Sequence, residues 1–210
     1  MIINNEARMY QLFPQVVIAS CIDREFSIEE LEFVEQCAKD VRRNTYNLQS
    51  SNSSVLSAPE MASIREFIEH NLKLYVKNII MPANAIDLYI TQSWLNYTPP
   101  TGAHHKHFHA NSIVSGVFYI NVLAGEDKIK FHKDSLPQIK INTYAPTLYN
   151  SEMCDIDVES GTLLLFNSLL QHSVDPVSSE RTDMRISLSF NTFVRGVVGE
   201  EYELTMLELK

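Results

Sequence analysis

The chain has 210 residues, 45% of them hydrophobic, which is enough to bury the core of one domain. It carries 26 acidic against 17 basic residues, and no stretch concentrates Lys and Arg. Because this average field repels a phosphate backbone, a nucleic-acid-binding function is disfavoured. No apolar run approaches the roughly 20 residues that a membrane-spanning helix needs.

The start of the chain, MIINNEARMYQLFPQVVIAS, lacks the basic residues and the long apolar stretch of a signal peptide. Three cysteines, Cys21, Cys37 and Cys154, show no metal-binding spacing. We expect them to be reduced thiols, buried as small hydrophobic side chains. These features together predict a soluble cytoplasmic protein without a membrane partner.

Two helices are predicted in the N-terminal part. The first begins at Ser27, where Ser27 and Glu30 have the spacing of a capping box and an apolar stripe follows. The second follows Pro59 and runs to about Asn78, with apolar residues at helical spacing. The Ser- and Asn-rich segment 44–57 between them is expected to be a loop.

Beyond Pro82 the pattern changes from helix to strand. Strands are predicted at Ala85–Asn96, Ser112–Val122, Lys128–His132, Thr162–Phe166 and Arg185–Phe193. Helices followed by many short strands indicate a mainly β, α+β chain in which helices pack on a β-sandwich or jelly roll. We expect one domain over residues 1–210, with a helical part at about 1–82, a jelly-roll core at about 83–195 and a tail at 196–210.

Four of the seven histidines fall within the segment GAHHKHFHANS: His104, His105, His107 and His109. In an extended segment residues two apart share a face, so His105, His107 and His109 are expected to point one way and His104 the other. A solvated loop that happens to be rich in His is the alternative. Three imidazoles on one face favour a metal site.

Two later features matter because of their order along the chain. His172 follows the apolar run GTLLLFNSLLQ, and Arg185 and Ser187 lie on one face of the last predicted strand. A guanidinium matches a carboxylate with two parallel hydrogen bonds, and a nearby hydroxyl adds another donor. Arg181 lies nearer to His172 and competes for this role. We favour Arg185, because its strand position and Ser187 fix its direction.

An H-x-H pair, a later His and then R-x-S in a β-rich chain is the layout of a double-stranded β-helix oxygenase. The segments SWLNYTPPTGAHHKHFHANSIVSGVFYIN, GTLLLFNSLLQHSV and RISLSFN resemble the short 2-oxoglutarate/Fe(II) oxygenases of bacteria and phages, which are distantly related to prolyl 4-hydroxylases. The resemblance implies a cupin-like jelly roll, and an oxidoreductase that uses Fe(II), 2-oxoglutarate and O₂ and releases succinate and CO₂. It implies His107, His109 and His172 as iron ligands and Arg185 as the residue that binds 2-oxoglutarate.

His109 departs from the wider superfamily, which has an Asp at this position. An imidazole supplies no negative charge, so we expect iron that is harder to oxidise and more weakly retained. Two alternatives stay open. In one, His105 and His107 bind the metal and His109 supports them; in the other, a remote carboxylate such as Asp134 completes the site.

Further residues are candidates for the co-substrate pocket. Ser187 and Tyr119 are candidates to donate hydroxyl hydrogen bonds to 2-oxoglutarate, and Asn121 and Asn96 to line the pocket. For Tyr119 the alternative of a buried structural tyrosine stays open. Trp94 is also a candidate for the pocket lining, but we favour packing in the core. For the segment 142–157 a substrate lid is the alternative, and we favour an ordinary surface loop.

The substrate expected from these features is an unidentified peptide or small molecule. Two rival functions remain. One is a cupin-type dioxygenase with three His ligands and no 2-oxo acid, which has no need for the Arg185 clamp. The other is a non-catalytic, metal-binding jelly-roll module.

Overall fold

The computed structural model describes residues 8–134, 139, 141–176 and 181–210. Residues 1–7, part of the segment inspected for a leader, lie outside the described residues. Within the described part there are two α-helices, α1 (Ile28–Cys37) and α2 (Ala62–Tyr75). None of the described helices is long and apolar enough to cross a membrane.

Both helices lie where the sequence predicts them. At the start of α1 the Ser27 hydroxyl accepts a hydrogen bond from the Glu30 backbone N–H, and the Glu30 carboxylate accepts one from Ser27 N–H at 2.8 Å. The predicted capping box is therefore confirmed. α2 continues into a π-helical turn, Val76–Ile80, and Met81 ends it in the left-handed region with φ of 48°.

Twelve strands are found among the described residues. In chain order they are β1 (Val17–Cys21), β2 (Val41–Arg43), β3 (Leu48–Ser50), β4 (Ile86–Thr98), β5 (His104–His107), β6 (Val114–Asn121), β7 (Lys128–His132), β8 (Met153–Asp157), β9 (Thr162–Asn167), β10 (His172–Val174), β11 (Arg185–Val198) and β12 (Leu207–Leu209). They form two antiparallel sheets. The larger has the order β1-β9-β6-β11-β4-β3-β2 with β12 on β11, and the smaller has the order β5-β10-β7-β8.

The five predicted strands are all present, but shorter strands were missed. β1, β2 and β3 lie in the part that was expected to be only helical, and β3 lies within the expected loop 44–57. β8 lies in the expected loop 142–157, and β12 pairs with β11 from within the expected tail 196–210. Three to five residues are too few to show a period-two pattern, and such strands form only because a longer neighbour pairs with them.

Two hydrophobic cores flank the larger sheet. On the helical side, α2 packs on one face of the sheet through residues that include Ile68, Leu72, Leu95, Phe118 and Leu188. On the other side, Phe131 of the smaller sheet packs against Tyr119, Leu164 and Phe166 of the larger. The candidate site residues lie on this second side, between the sheets.

The expected burial of the cysteines is wrong for two of the three. Cys21 and Cys154 are exposed and Cys37 is half-buried, and all three are free thiols. Cys21 ends β1, and Cys154 lies in β8. Both strands are at the ends of their sheets, where a side chain has neighbours on one side only.

Candidate metal centre and carboxylate pocket

The polar face of β11 forms the floor of the site. β11 lies between β6 and β4, so that Ser187 is opposite Tyr119 on one side and Asn96 on the other. Four residues along, Asn191 is opposite Ser115 on β6. Apolar residues alternate with these and point to the helical core, as the sequence pattern predicts.

Three histidines converge above this floor. His107 on β5 is opposite His172 on β10, and His109 follows β5 with its backbone N–H bonded to the Ser168 carbonyl at 2.9 Å. One ligand atom from each of His107, His109 and His172 lies within 4.8 Å of the other two. The structure thus brings together the three residues that the sequence singled out.

Hydrogen bonds orient all three rings in the same sense. Nδ1 of His107 and of His172 each bonds the carbonyl two residues earlier in the chain, at 2.7 and 3.0 Å. Nδ1 of His109 bonds Oδ1 of Asn191 at 2.5 Å. An acceptor oxygen requires the proton to be on Nδ1, which leaves the lone pair on Nε2 free. This is the tautomer and the second layer of bonds that metal-binding histidines have.

Burial keeps these imidazoles neutral. It lowers the pKa of His107 and of His109, and it lowers the pKa of His172 to about 3, with a further contribution from neighbouring His107. A metal ion binds only the neutral ring. The donor set therefore fits a divalent transition metal such as Fe(II).

The rest of the His cluster is arranged differently from the expectation. Between His104 and His107 the strand β5 has one residue more than β10, a β-bulge, so both rings face inward and stack at 4.3 Å between centroids. The prediction that His104 points away from His107 is wrong for this reason. His105 is exposed and is not part of the group of three, and neither is the exposed Asp134.

Trp94 was expected in the core, and this is wrong. The ring is half-buried and stacks on His109 with 5.8 Å between centroids, and its Nε1 is shielded from solvent without an acceptor among the described residues. Trp94 therefore lines the site.

Asn191 is a site residue that the sequence analysis did not identify. The signal for it was its position on the polar face of β11, four residues after Ser187.

A second group of buried polar atoms lies at the start of β11. Arg185 is 3% exposed, its guanidinium lies 5.4 Å from the centroid of the Tyr119 ring, and its Nε has no acceptor within the described residues. The fully buried Tyr119 hydroxyl also has no partner there, and burial raises its pKa to about 12. Buried donors without acceptors are costly, and a carboxylate would satisfy both.

Arg181, the competing candidate, has its donors occupied. Its Nη1 bonds Oδ2 of Asp127 at 2.6 Å, its Nε bonds Asp183, and its Nη2 bonds the carbonyls of Asn121 and Met184. The amide of Asn121 also bonds Asp183, at 2.7 Å. Arg181 and Asn121 thus belong to a structural network at the end of β6.

Asn96 is buried beside Ser187. Its amide group donates to Ser189 on β11 at 2.9 Å. Its side chain therefore lies on the floor between the two sheets, where the sequence places it, but its amide already has a protein partner.

Comparison with protein families gives one match. Residues 92–191 match the family described as "Putative 2OG-Fe(II) oxygenase". The matched range includes the three histidines, Arg185 and Asn191. No curated protein matches the chain significantly.

Several solved structures share the fold. A prolyl-4-hydroxylase from Pseudomonas putida is 17% identical with a TM-score of 0.53, over 84% of this chain and 92% of that one. A prolyl hydroxylase from Trichoplax adhaerens, solved with a peptide fragment of hypoxia inducible factor, is 14% identical with a TM-score of 0.57, over 85% and 82%. HygX from Streptomyces hygroscopicus, solved with nickel, 2-oxoglutarate and hygromycin B, is 13% identical with a TM-score of 0.55, over 85% and 82%. At these identities the similarity establishes the fold, a double-stranded β-helix, as predicted.

Proposed function

We propose that this chain is an Fe(II)- and 2-oxoglutarate-dependent dioxygenase, and the match of residues 92–191 to the family described as "Putative 2OG-Fe(II) oxygenase" supports the proposal. In this proposal it hydroxylates a peptide or small molecule and releases succinate and CO₂. One observation carries the proposal: three imidazoles with free Nε2 atoms lie between the same two sheets as the buried Arg185 and Tyr119, whose Nε and hydroxyl have no hydrogen-bond partner among the described residues.

The metal would be held by His107, His109 and His172. When bound, Fe(II) with 2-oxoglutarate and O₂ supplies the oxidising chemistry for which this family is known. The protein residues orient the ligands: two carbonyl acceptors hold His107 and His172, and Asn191 holds His109. Trp94 covers one face of the His109 ring and excludes water from it.

The distal carboxylate of 2-oxoglutarate would be bound by Arg185, with Ser187 and Tyr119 beside it. Tyr119 keeps its proton at neutral pH, because its pKa is raised to about 12 by burial, and so it acts as a donor. Ser187 is adjacent to Tyr119 in the sheet register. A guanidinium and two hydroxyls on one face provide the donors that a carboxylate needs in a site closed to water.

Anaerobic titration tests the proposal. Fe(II) and 2-oxoglutarate added to the apoprotein should give the visible charge-transfer band of an iron–2-oxo acid chelate, with a stoichiometry of one each. Fe(II) alone and Zn(II) with 2-oxoglutarate are the controls and should give no band. A three-His dioxygenase that uses no 2-oxo acid would bind Fe(II) without giving the band. A non-catalytic zinc module would neither bind Fe(II) nor give the band. Either result would overturn the proposal.

A further inference from the structure

Asp127 links the two buried arginines at the end of the site. It is 1% exposed, it lies in the turn between β6 and β7, and its two carboxylate oxygens have different surroundings. Oδ2 accepts hydrogen bonds from Arg181 Nη1 at 2.6 Å and from the Leu123 backbone N–H at 2.8 Å. Oδ1 lies 3.5 Å from Nε of Arg185 and has no hydrogen-bond donor within the described residues.

The carboxylate is thus fixed through one oxygen, and the other is directed at Arg185. Two donors on Oδ2 prevent the Asp127 side chain from rotating toward Arg185 and pairing with it fully. Arg181 is held in turn by Asp183 and by carbonyl groups, so it cannot follow a movement of the carboxylate. This leaves Arg185 with an ion-pair contact at Nε and with its guanidinium beside the ring of Tyr119.

The charges of this group do not balance. Arg181 and Arg185 carry two positive charges and Asp127 one negative, so the three buried side chains hold a net charge of +1. Asp183 also pairs with Arg181, but half of its side chain is exposed to water, which screens its charge. Burial of an uncompensated charge is unfavourable, and a ligand carboxylate would remove the imbalance.

We propose that Asp127, held by Arg181, is the positioning residue for Arg185. It fixes the guanidinium by its Nε side and so aims the two terminal nitrogens at the distal carboxylate of the co-substrate. This inference rests on the proposed function and adds two residues to it, neither of which contacts the co-substrate. Arg181 was the alternative candidate for binding the carboxylate. In this proposal it instead holds Asp127, which positions Arg185.

The direction in which a substitution of Asp127 changes dicarboxylate binding distinguishes a positioning role from a purely electrostatic one. Removing the negative charge of Asp127 raises the positive potential at Arg185, and by Coulomb attraction alone a dicarboxylate would then bind more tightly. Loss of orientation acts in the opposite direction, because a guanidinium that is free to rotate no longer presents two parallel donors. If loss of the Asp127 charge makes the dicarboxylate bind more tightly, Coulomb attraction dominates. If the dicarboxylate binds more weakly, the orientation of Arg185 dominates.

The test compares 2-oxoglutarate with 2-oxobutyrate, which chelates iron in the same way but has no distal carboxylate. Dissociation constants of both are measured on the Fe(II)-loaded protein from the charge-transfer band under anaerobic conditions. In Asp127→Asn we expect the preference for 2-oxoglutarate to fall about tenfold, the value of one charge-assisted hydrogen bond, while binding of 2-oxobutyrate stays unchanged. If Asp127 had only a structural role, the substitution would weaken the binding of both compounds equally and leave the preference for 2-oxoglutarate unchanged.

Two further variants keep the inference testable if Asp127→Asn is poorly folded. Arg181→Gln frees Asp127 to pair with Arg185, which also lowers the preference for 2-oxoglutarate. Asp87→Asn is the matched control, because it removes a carboxylate that pairs with a different arginine, Arg195, near the far end of β11, and its preference should equal that of the wild type. An unchanged or increased preference in both Asp127→Asn and Arg181→Gln would overturn the inference, as would an equal fall in Asp87→Asn. A wild-type protein without any band would instead overturn the proposed function.

Discussion

At the scale of single residues, His109 is the proposed metal ligand for which the resemblance to the oxygenases implies an aspartate. Its ring is oriented by the neutral amide of Asn191, which also accepts a hydrogen bond from Ser115 at 3.0 Å. Metal ligands are commonly held by such a second partner, and its loss lowers metal affinity. The imidazole of His109 lacks the negative charge of an aspartate. Asn191 therefore compensates by fixing the orientation of the ring.

Substitution of Asn191 tests this role. Asn191→Leu removes the acceptor at Nδ1, so the His109 ring loses both its tautomer and its direction. We expect Fe(II) affinity to fall about 10- to 100-fold, measured by competition with a chromogenic chelator. Thr91→Val is the control, because it removes a hydroxyl that bonds the backbone carbonyl of Asn191 and leaves the amide intact. Equal iron affinity in Asn191→Leu and the wild type would contradict the assignment.

Truncation of Arg185 should act mainly on 2-oxoglutarate binding, and truncation of Arg181 mainly on stability. Arg185→Ala is expected to weaken 2-oxoglutarate binding by about 2–4 kcal/mol and to leave iron binding unchanged. Arg181→Ala removes the arginine that is hydrogen-bonded to Asp127, and it is expected to lower the free energy of unfolding by about 3–5 kcal/mol and to weaken 2-oxoglutarate binding less than Arg185→Ala does.

Titration of both ligands and urea unfolding distinguish the two arginines. Iron binding serves as the internal reference for a correctly folded site. If Arg181→Ala lost 2-oxoglutarate binding at full stability while Arg185→Ala kept it, the roles of the two arginines would be exchanged.

At the scale of elements, one residue at the start of α1, Glu30, takes part in both the capping box and an ion pair with Arg24. The buried Glu30 carboxylate accepts hydrogen bonds from Arg24 and from the Ser27 backbone. Burial by itself would raise the pKa of Glu30, but the bonds from Arg24 and Ser27 outweigh it, and the pKa is lowered. The folded protein therefore holds Glu30 ionised more strongly than the unfolded chain does.

This lowered pKa predicts a pH-dependent stability. A carboxyl whose pKa is lower in the folded state stabilises the fold above its unfolded pKa of about 4.3, and the contribution is lost as the pH falls through the folded pKa. Glu30→Gln should therefore be less stable than the wild type at pH 7, and the difference should shrink in acid. Urea unfolding at pH 7 and at pH 3 measures it. Glu35→Gln, an exposed position of the same helix, is the control and should show no such trend.

Elements were predictable from sequence where their pattern was long or had a chemical marker. The capping box placed the start of α1, and alternation over nine residues placed β11 and its polar face. β5 and β10 were not predicted as strands, because each is short and lies beside turns. The bulge in β5 was beyond sequence reasoning for a physical reason: the extra residue is defined only against the partner strand β10.

At the scale of the whole molecule, the site is formed between the two sheets. The smaller sheet carries His107 and His172, and the larger carries Arg185 and Tyr119. The order of the motifs along the chain, together with the resemblance to the oxygenases, predicted which residues meet. It could not show that Arg181 is saturated or that Trp94 covers His109, because both depend on side chains from distant parts of the chain.

Ligands that bridge the two sheets should raise the stability of the molecule. A ligand that binds only the folded state at 100 times its dissociation constant contributes about 2.7 kcal/mol. For a chain of this size that corresponds to a rise in Tm of roughly 5–10 °C. We expect this shift with Fe(II) and 2-oxoglutarate together under anaerobic conditions, measured by differential scanning fluorimetry. His172→Ala should abolish it, and a full shift in that variant would remove His172 from the site.

The two exposed thiols provide natural positions for spectroscopic labels. Cys21 belongs to an end strand of the larger sheet and Cys154 to an end strand of the smaller one, so a nitroxide on each would report the separation of the sheets by pulsed electron resonance. Burial, with nearby Glu159 and Asp23, raises the pKa of Cys21, so labelling at this position is favoured by mildly alkaline buffer. A narrower distance distribution with both ligands bound would follow directly from a site that connects the sheets.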